Sequence, residues 1–272
     1  MNKEHRIFAS LPRTGSTMCM ALFSTLFPEA VVTARTILMT RRYETLFRHP
    51  TFFEPDYSIY DGKNVLRPHP IYNVIPDNTK LIISKEEFGN NPSIGSPYLN
   101  ECNYPLFRDD YDVTLAKPAF LFRHPLAIYR SWLRLGWQRP DVLITAYVSL
   151  AHNYQKALSV LPNTHSVIYE SLTASRADCY RVLSGLFMYW ELDTNHIFEK
   201  LDQSLMLRLT FWSDKERVIY EKDPYSLFST LHEFPAIRFG TRDNLVINDP
   251  DARRVMKVCM PLYEMAANDA AR

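Results

Sequence analysis

The run from Ile7 to Phe27 constrains this chain most. Ile7-Phe8-Ala9-Ser10-Leu11 is a short apolar stretch, Pro12-Arg13-Thr14-Gly15-Ser16-Thr17 breaks it, and residues 16–27 read as a helix. A tight turn between a buried strand and a helix presents backbone N–H groups that lack intrahelical partners. Gly15 lets the backbone approach a bound group closely. Arg13 adds a permanent cation, and Ser16 and Thr17 add hydroxyl donors. The arrangement predicts a loop that binds a phosphate-like anion. It is not the ATP-type sequence G-x-x-x-x-G-K-[ST]. Ser10 stands where the first Gly would fall, and no Lys follows Gly15. With only 7 glycines in 272 residues, a glycine at this place carries information.

The rest of the chain repeats the same alternation. Short apolar runs predict parallel strands over 6–11, 80–84, 119–123 and 166–170, each with a polar or charged exit. Helical periodicity covers 16–27, 125–136, 141–160, 175–190, 194–208 and about 250–267. Pro125 suits a first helical turn, and Asp249 before Pro250 suits a helix cap. Strands alternating with helices predict an α/β fold: a parallel sheet covered by helices on both faces, its ligands at the carboxyl ends of the strands. Residues 28–78 and 88–118 break the alternation and are rich in Pro, Tyr, Phe and Arg. Such long segments in a compact domain predict substrate loops. No repeat or linker divides the chain, so residues 1–272 read as one domain.

Charge and cysteine usage narrow the function classes. The formal net charge is +1, which gives no electrostatic case for nucleic acid. Anion binding must come from local placement of Arg and Lys. The four cysteines, Cys19, Cys102, Cys179 and Cys259, form no C-x-x-C pair, so neither a zinc site nor a disulfide framework is expected. The N-terminus reads as neither signal peptide nor membrane anchor, and no N-x-[ST] sequon is present. A cytoplasmic protein with free thiols is the expectation.

A second anchor lies at the exit of the strand over 119–123. Arg123-His124-Pro125 leads into a helix that carries Ser131 two turns in. An Arg fork and a hydroxyl near a strand exit can grip another phosphate. Together the two loops resemble the nucleotide site of sulfotransferases that use 3′-phosphoadenosine 5′-phosphosulfate (PAPS). Pro12-Arg13-Thr14-Gly15-Ser16-Thr17 resembles the 5′-phosphosulfate loop of that family. Arg123-His124-Pro125 with Ser131 resembles its 3′-phosphate motif, Arg-to-Ser spacing included. Val167-Ile168-Tyr169-Glu170-Ser171-Leu172 is similar to the Tyr-Glu segment beyond that motif.

The resemblance implies a P-loop-like sheet and a PAPS donor. It implies that Thr14, Gly15, Ser16 and Thr17 hold the 5′-phosphate, and that Arg13 neutralises charge on the bridging and sulfonate oxygens. Arg123 and Ser131 would hold the 3′-phosphate, with Tyr169 near the nucleoside and His124 in a packing role. Two departures stand out. Met18 occupies the place of a Trp that stacks on adenine in many cytosolic members. Phe239-Gly240-Thr241-Arg242 is the one candidate for the C-terminal basic-Gly segment that closes over the donor.

Sulfonyl transfer resembles phosphoryl transfer in what it demands: positioning, charge neutralisation and removal of the acceptor's proton. The base is expected where the strand over 80–84 runs into Lys85-Glu86-Glu87, with Glu86 preferred to Glu87. His69 and, more weakly, His49 are rivals in the substrate-loop segment. The aromatic and acidic residues over 41–72 suit a small-molecule acceptor offering a hydroxyl or a nitrogen, such as a specialised metabolite. No nucleic acid, no membrane and no metal is expected. Two alternatives use the same scaffold. A kinase would need a Lys at the loop and carboxylates for magnesium, and a non-catalytic relic need not keep both phosphate anchors.

Overall fold

The computed structural model describes residues 4–34, 76, 78–88, 106, 113–195, 197–200, 205, 208–210, 237, 239–240 and 249–271. Five strands form one sheet: β1 (Glu4–Ser10), β2 (Val31–Ala34), β3 (Leu81–Glu87), β4 (Ala119–Phe122) and β5 (Ser166–Ile168). Their order is β2-β3-β1-β4-β5, and every pairing is parallel. The described helices are α1 (Ser16–Leu26), α2 (Pro125–Arg134), α3 (Pro140–Val160), the single turns α4 (Tyr169–Leu172) and α6 (Ile197–Lys200), α5 (Arg176–Tyr189) and α7 (Pro250–Ala270).

Why the strands read as unbroken apolar runs is now plain: both faces of the sheet are covered. Successive side chains alternate between faces. Ile7, Ala9, Phe120 and Phe122 pack with Tyr147, Leu150 and Tyr154 of α3 and with Val255 and Cys259 of α7. Phe8, Ile83, Leu121 and Val167 pack on the other face with Met20 and Phe23 of α1 and with Leu183 and Phe187 of α5. Edge-to-face rings lock that second layer, Phe8 on Phe23 at 5.1 Å and Phe23 on Trp190 at 5.4 Å. Asp249 caps α7 as its sequence suggests, accepting from the Ala252 N–H at 2.6 Å.

Four sequence expectations need correction. β2 lies inside the stretch 28–78 that was expected to be irregular: Val31 and Val32 are buried and pair with Ile82 and Ile83. β3 does not end at residue 84, because Lys85, Glu86 and Glu87 continue the ladder opposite Phe8, Ala9 and Ser10. The strand expected over 166–170 ends at Ile168, where Tyr169 starts a helical turn. Of the helix expected over 194–208, the described residues show the turn Ile197–Lys200, while Thr194, Leu205 and Arg208 are not helical. Most of 28–78 and 88–118, with His49, His69 and the aromatic cluster at 41–72, lies outside the described residues.

No helix among the described residues is long and apolar enough to cross a membrane. Nor, among them, does any group of three His, Cys, Asp or Glu side chains stand close enough to hold a metal ion.

The packing sets a pH limit on stability. Burial, with Arg6 adding to it, pushes His5 down to about 4, and burial does the same to His165. Unfolded, both would titrate near 6.5. The folded state keeps them neutral, so their contribution is complete above pH 6.5 and is lost as pH falls from there toward 4. At pH 5 each removes about 2 kcal/mol. Urea midpoints should therefore fall between pH 7 and pH 5, and His165→Asn should flatten the profile. Equal midpoints at the two pH values for the wild-type protein would contradict this.

Candidate active site

The loop at 11–17 is built at the carboxyl end of β1, the middle strand. Arg13 and Gly15 both adopt left-handed backbone, with φ of 70° and 95°. That conformation costs a non-glycine residue about 1 kcal/mol, a strain typical of binding loops. Thr14 fixes the turn from inside: it is fully buried, and its hydroxyl donates to the Leu11 carbonyl at 2.7 Å. Gly15 occupies the cap position of α1 without a side-chain cap bond. The helical ladder begins with the Cys19 N–H on the Gly15 carbonyl, so the N–H groups of Ser16, Thr17 and Met18 come before it. Anions bind in such places.

The second motif sits directly against the first. Arg13 Nε donates to Ser131 Oγ on α2 at 3.1 Å, a contact across 118 residues of sequence. Arg123 Nη1 donates to the Arg13 carbonyl at 3.0 Å. Trp132 Nε1 donates to the Pro12 carbonyl at 3.2 Å. Tyr169 completes the cluster: the Arg123 guanidinium lies 4.3 Å over its ring, and a methyl group on Gly15 would overlap the same ring. Thus Arg13, Gly15, Arg123, Ser131 and Tyr169, expected together from sequence, are together in space. Thr17 and Met18 lie half-buried in the first turn of α1 beside them.

Two neighbours extend this cluster. Glu170 accepts from the His124 N–H at 2.9 Å and from the Tyr263 hydroxyl of α7 at 3.0 Å. Gly240 donates its N–H to the Thr173 carbonyl at 3.0 Å, just beyond α4. Phe239 packs among the residues of the α1 face. The suggested closing segment therefore reaches the site at Phe239 and Gly240, while Thr241 and Arg242 lie outside the described residues.

One neighbour of the loop was not among the candidates read from the sequence. Lys85 is 3% exposed, and its Nζ donates to Glu87 Oε1 at 2.9 Å and to Ser16 Oγ at 3.5 Å. The loop has no lysine of its own, but the neighbouring strand delivers one. Strand alternation puts Lys85 and Glu87 on the face shared by Phe8 and α1, and Glu86 on the opposite one. Glu86 is fully buried there. The signal was available in the K-x-E spacing, since residues two apart on a strand share a face.

Comparison with known proteins gives the fold its place. The chain is similar to the sulfotransferase domain of the Synechococcus PCC 7002 olefin synthase: TM-score 0.50 and 17% identity, over 98% of this chain and 95% of that one. This chain has the sulfotransferase fold. A sulfotransferase domain from the curacin biosynthetic pathway also matches, at TM-score 0.43 and 15% identity, over 94% of this chain and 98% of that one. No protein-family model matches the sequence. No curated protein sequence matches it either. In the sulfotransferase fold seen here, the two anchor loops leave adjacent parallel strands, β1 and β4, at the same edge of the sheet.

Proposed function

We propose that this protein is a sulfotransferase that moves the sulfonate of PAPS to a hydroxyl or nitrogen of a small-molecule acceptor. The observation that carries this reading is the direct contact between the two anchor loops, Arg13 on Ser131 and Arg123 on the Arg13 carbonyl. One loop alone would suit any phosphate. Two joined loops suit a ligand with phosphates at both ends. The glycine cradle at Gly15 and the unladdered N–H groups of α1 fit the 5′ end, with Ser16 and Thr17 supplying hydroxyls and Thr14 shaping the turn. Arg123 and Ser131 fit the 3′-phosphate, and Tyr169 fits the nucleoside between them.

The donor brings an activated sulfonate; the protein brings charge, orientation and a proton acceptor. Arg13, Lys85 and the N-terminus of α1 converge where negative charge builds on the leaving phosphate, in a site whose donors are already held in place. Of the two carboxylates considered as base, Glu86 has full burial in its favour, whereas Glu87 shares the loop's face through Lys85. The geometry favours Glu87. The reading places the enzyme in the cytoplasm: Cys19, Cys179 and Cys259 are free thiols, and burial pushes Cys179 and Cys259 up to about 12, far from reactive thiolates.

One observation favours a second reading. Lys85 beside Ser16 supplies the loop lysine that an ATP-dependent kinase needs. Thermal-shift titration separates the two. Stabilisation by 3′-phosphoadenosine 5′-phosphate, at concentrations where ATP with magnesium has no effect, is the expected result. The reverse preference would replace sulfonyl transfer by phosphoryl transfer. An acceptor screen with labelled PAPS then identifies the product.

A further inference from the structure

The Arg123 motif is held by a group outside the anchor loops. Glu170 stands at the start of α4, one residue after Tyr169, and both of its carboxylate oxygens are engaged. Oε1 accepts from the backbone N–H of His124, and Oε2 accepts from the hydroxyl of Tyr263 on α7. The His124 and Tyr263 rings meet edge to face at 5.7 Å. The Tyr147 hydroxyl of α3 donates to the Arg123 carbonyl at 3.0 Å. The single peptide group between Arg123 and His124 is therefore pinned at both its C=O and its N–H, by Tyr147 of α3 and Glu170 of α4, with Tyr263 of α7 holding Glu170 in turn.

We propose that Glu170 is a positioning residue for 3′-phosphate recognition, acting through the His124 backbone on Arg123. The inference rests on the donor reading above. Its physical basis is charge and spacing. A carboxylate accepting from two donors makes charge-assisted bonds. Those bonds fix the turn that aims the Arg123 guanidinium over Tyr169 and at the Arg13 carbonyl. Bidentate recognition of phosphate by Arg needs that aim. Without Glu170, the His124 N–H and the Tyr263 hydroxyl lose their acceptor, and the turn is free to relax. Tyr263 also ties α7 to this turn, although it lies 93 residues beyond Glu170 in the chain.

The prediction concerns discrimination rather than binding as such. Calorimetric titration of wild type, Glu170→Gln, Glu170→Ala and Tyr263→Phe with 3′-phosphoadenosine 5′-phosphate and with adenosine 5′-phosphate measures what the 3′-phosphate adds. In Glu170→Ala, the preference for the bisphosphate should shrink by roughly tenfold, while affinity for adenosine 5′-phosphate stays within about twofold. Glu170→Gln, which keeps an acceptor for the His124 N–H, should recover most of that preference. Tyr263→Phe should lose a smaller part. Should Glu170→Ala not fold, Tyr263→Phe carries the test, because it keeps the ring and removes only the hydroxyl. A merely structural role would weaken both nucleotides equally, and that result overturns the inference. So does a preference unchanged in the variants. A wild-type protein that binds both nucleotides alike removes the donor reading itself, and this inference with it.

Discussion

Lys85→Met should cost this protein both stability and donor binding, and a second substitution should restore only the first. Lys85 is a buried cation whose charge is balanced by Glu87 at 2.9 Å. Removing one member of such a pair leaves the other charge uncompensated in a dry site, at a cost of about 3–5 kcal/mol. Replacing both members by apolar side chains of similar size removes that penalty. Lys85→Met combined with Glu87→Leu should therefore melt within a few degrees of wild type. Its affinity for 3′-phosphoadenosine 5′-phosphate should stay low, by about tenfold or more, because the cation at Ser16 is gone. Glu87→Gln distinguishes the roles further. With Lys85 retained, donor affinity should survive, while sulfonate transfer to an acceptor falls by at least 100-fold if Glu87 takes the proton. Full transfer by Glu87→Gln, with loss in Glu86→Gln, would return the base to Glu86.

Gly15→Ala should disable the loop through two separate strains. An Ala at φ of 95° costs about 1 kcal/mol. Its Cβ also enters the space of the Tyr169 ring, which cannot move without leaving its place under Arg123. Overpacking of that kind costs roughly 1–3 kcal/mol. The melting temperature should drop by several degrees, and donor affinity by about 100-fold, since the N–H groups of α1 and the Arg123 motif would both be displaced. Combining Gly15→Ala with Tyr169→Ala relieves the overlap but not the backbone strain. A positive coupling between the two in a double-mutant cycle is expected. Additive melting shifts would show that the ring and the glycine act independently.

Much of this arrangement was legible from the residues. Ile7-Phe8-Ala9 and Phe120-Leu121-Phe122 announce strands buried on both faces, because nothing polar interrupts them. Pro12, Gly15 and the hydroxyls after it announce the turn, because their conformational and hydrogen-bonding traits are local. The Arg123 motif was visible for the same reason. What stayed hidden depends on partners distant in sequence. β2 is four residues long and is identified by its pairing with Ile82 and Ile83, not by its own pattern. Lys85-Glu86-Glu87 looks like the solvated exit of a strand. These residues remain in the ladder because Lys85 and Glu87 neutralise one another and because the carboxyl end of β1 runs alongside. Glu170 was noticed only as the neighbour of Tyr169. Its meaning comes from Tyr263, which lies on a helix at the other end of the chain.

The central position of β1 separates two kinds of evolutionary change. On one side stand β4 and β5, which lead directly into Arg123 and Tyr169 and join α7 through Glu170. On the other stand β3 and β2, whose carboxyl ends lead into residues 35–75 and 89–112, the long stretches rich in Pro and aromatics. On the function proposed here, the first flank answers to one invariant nucleotide and the second to whatever metabolite a lineage presents. Insertions and exchanges could therefore accumulate after β2 and β3, retailoring the clientele of the enzyme while its currency stays the same.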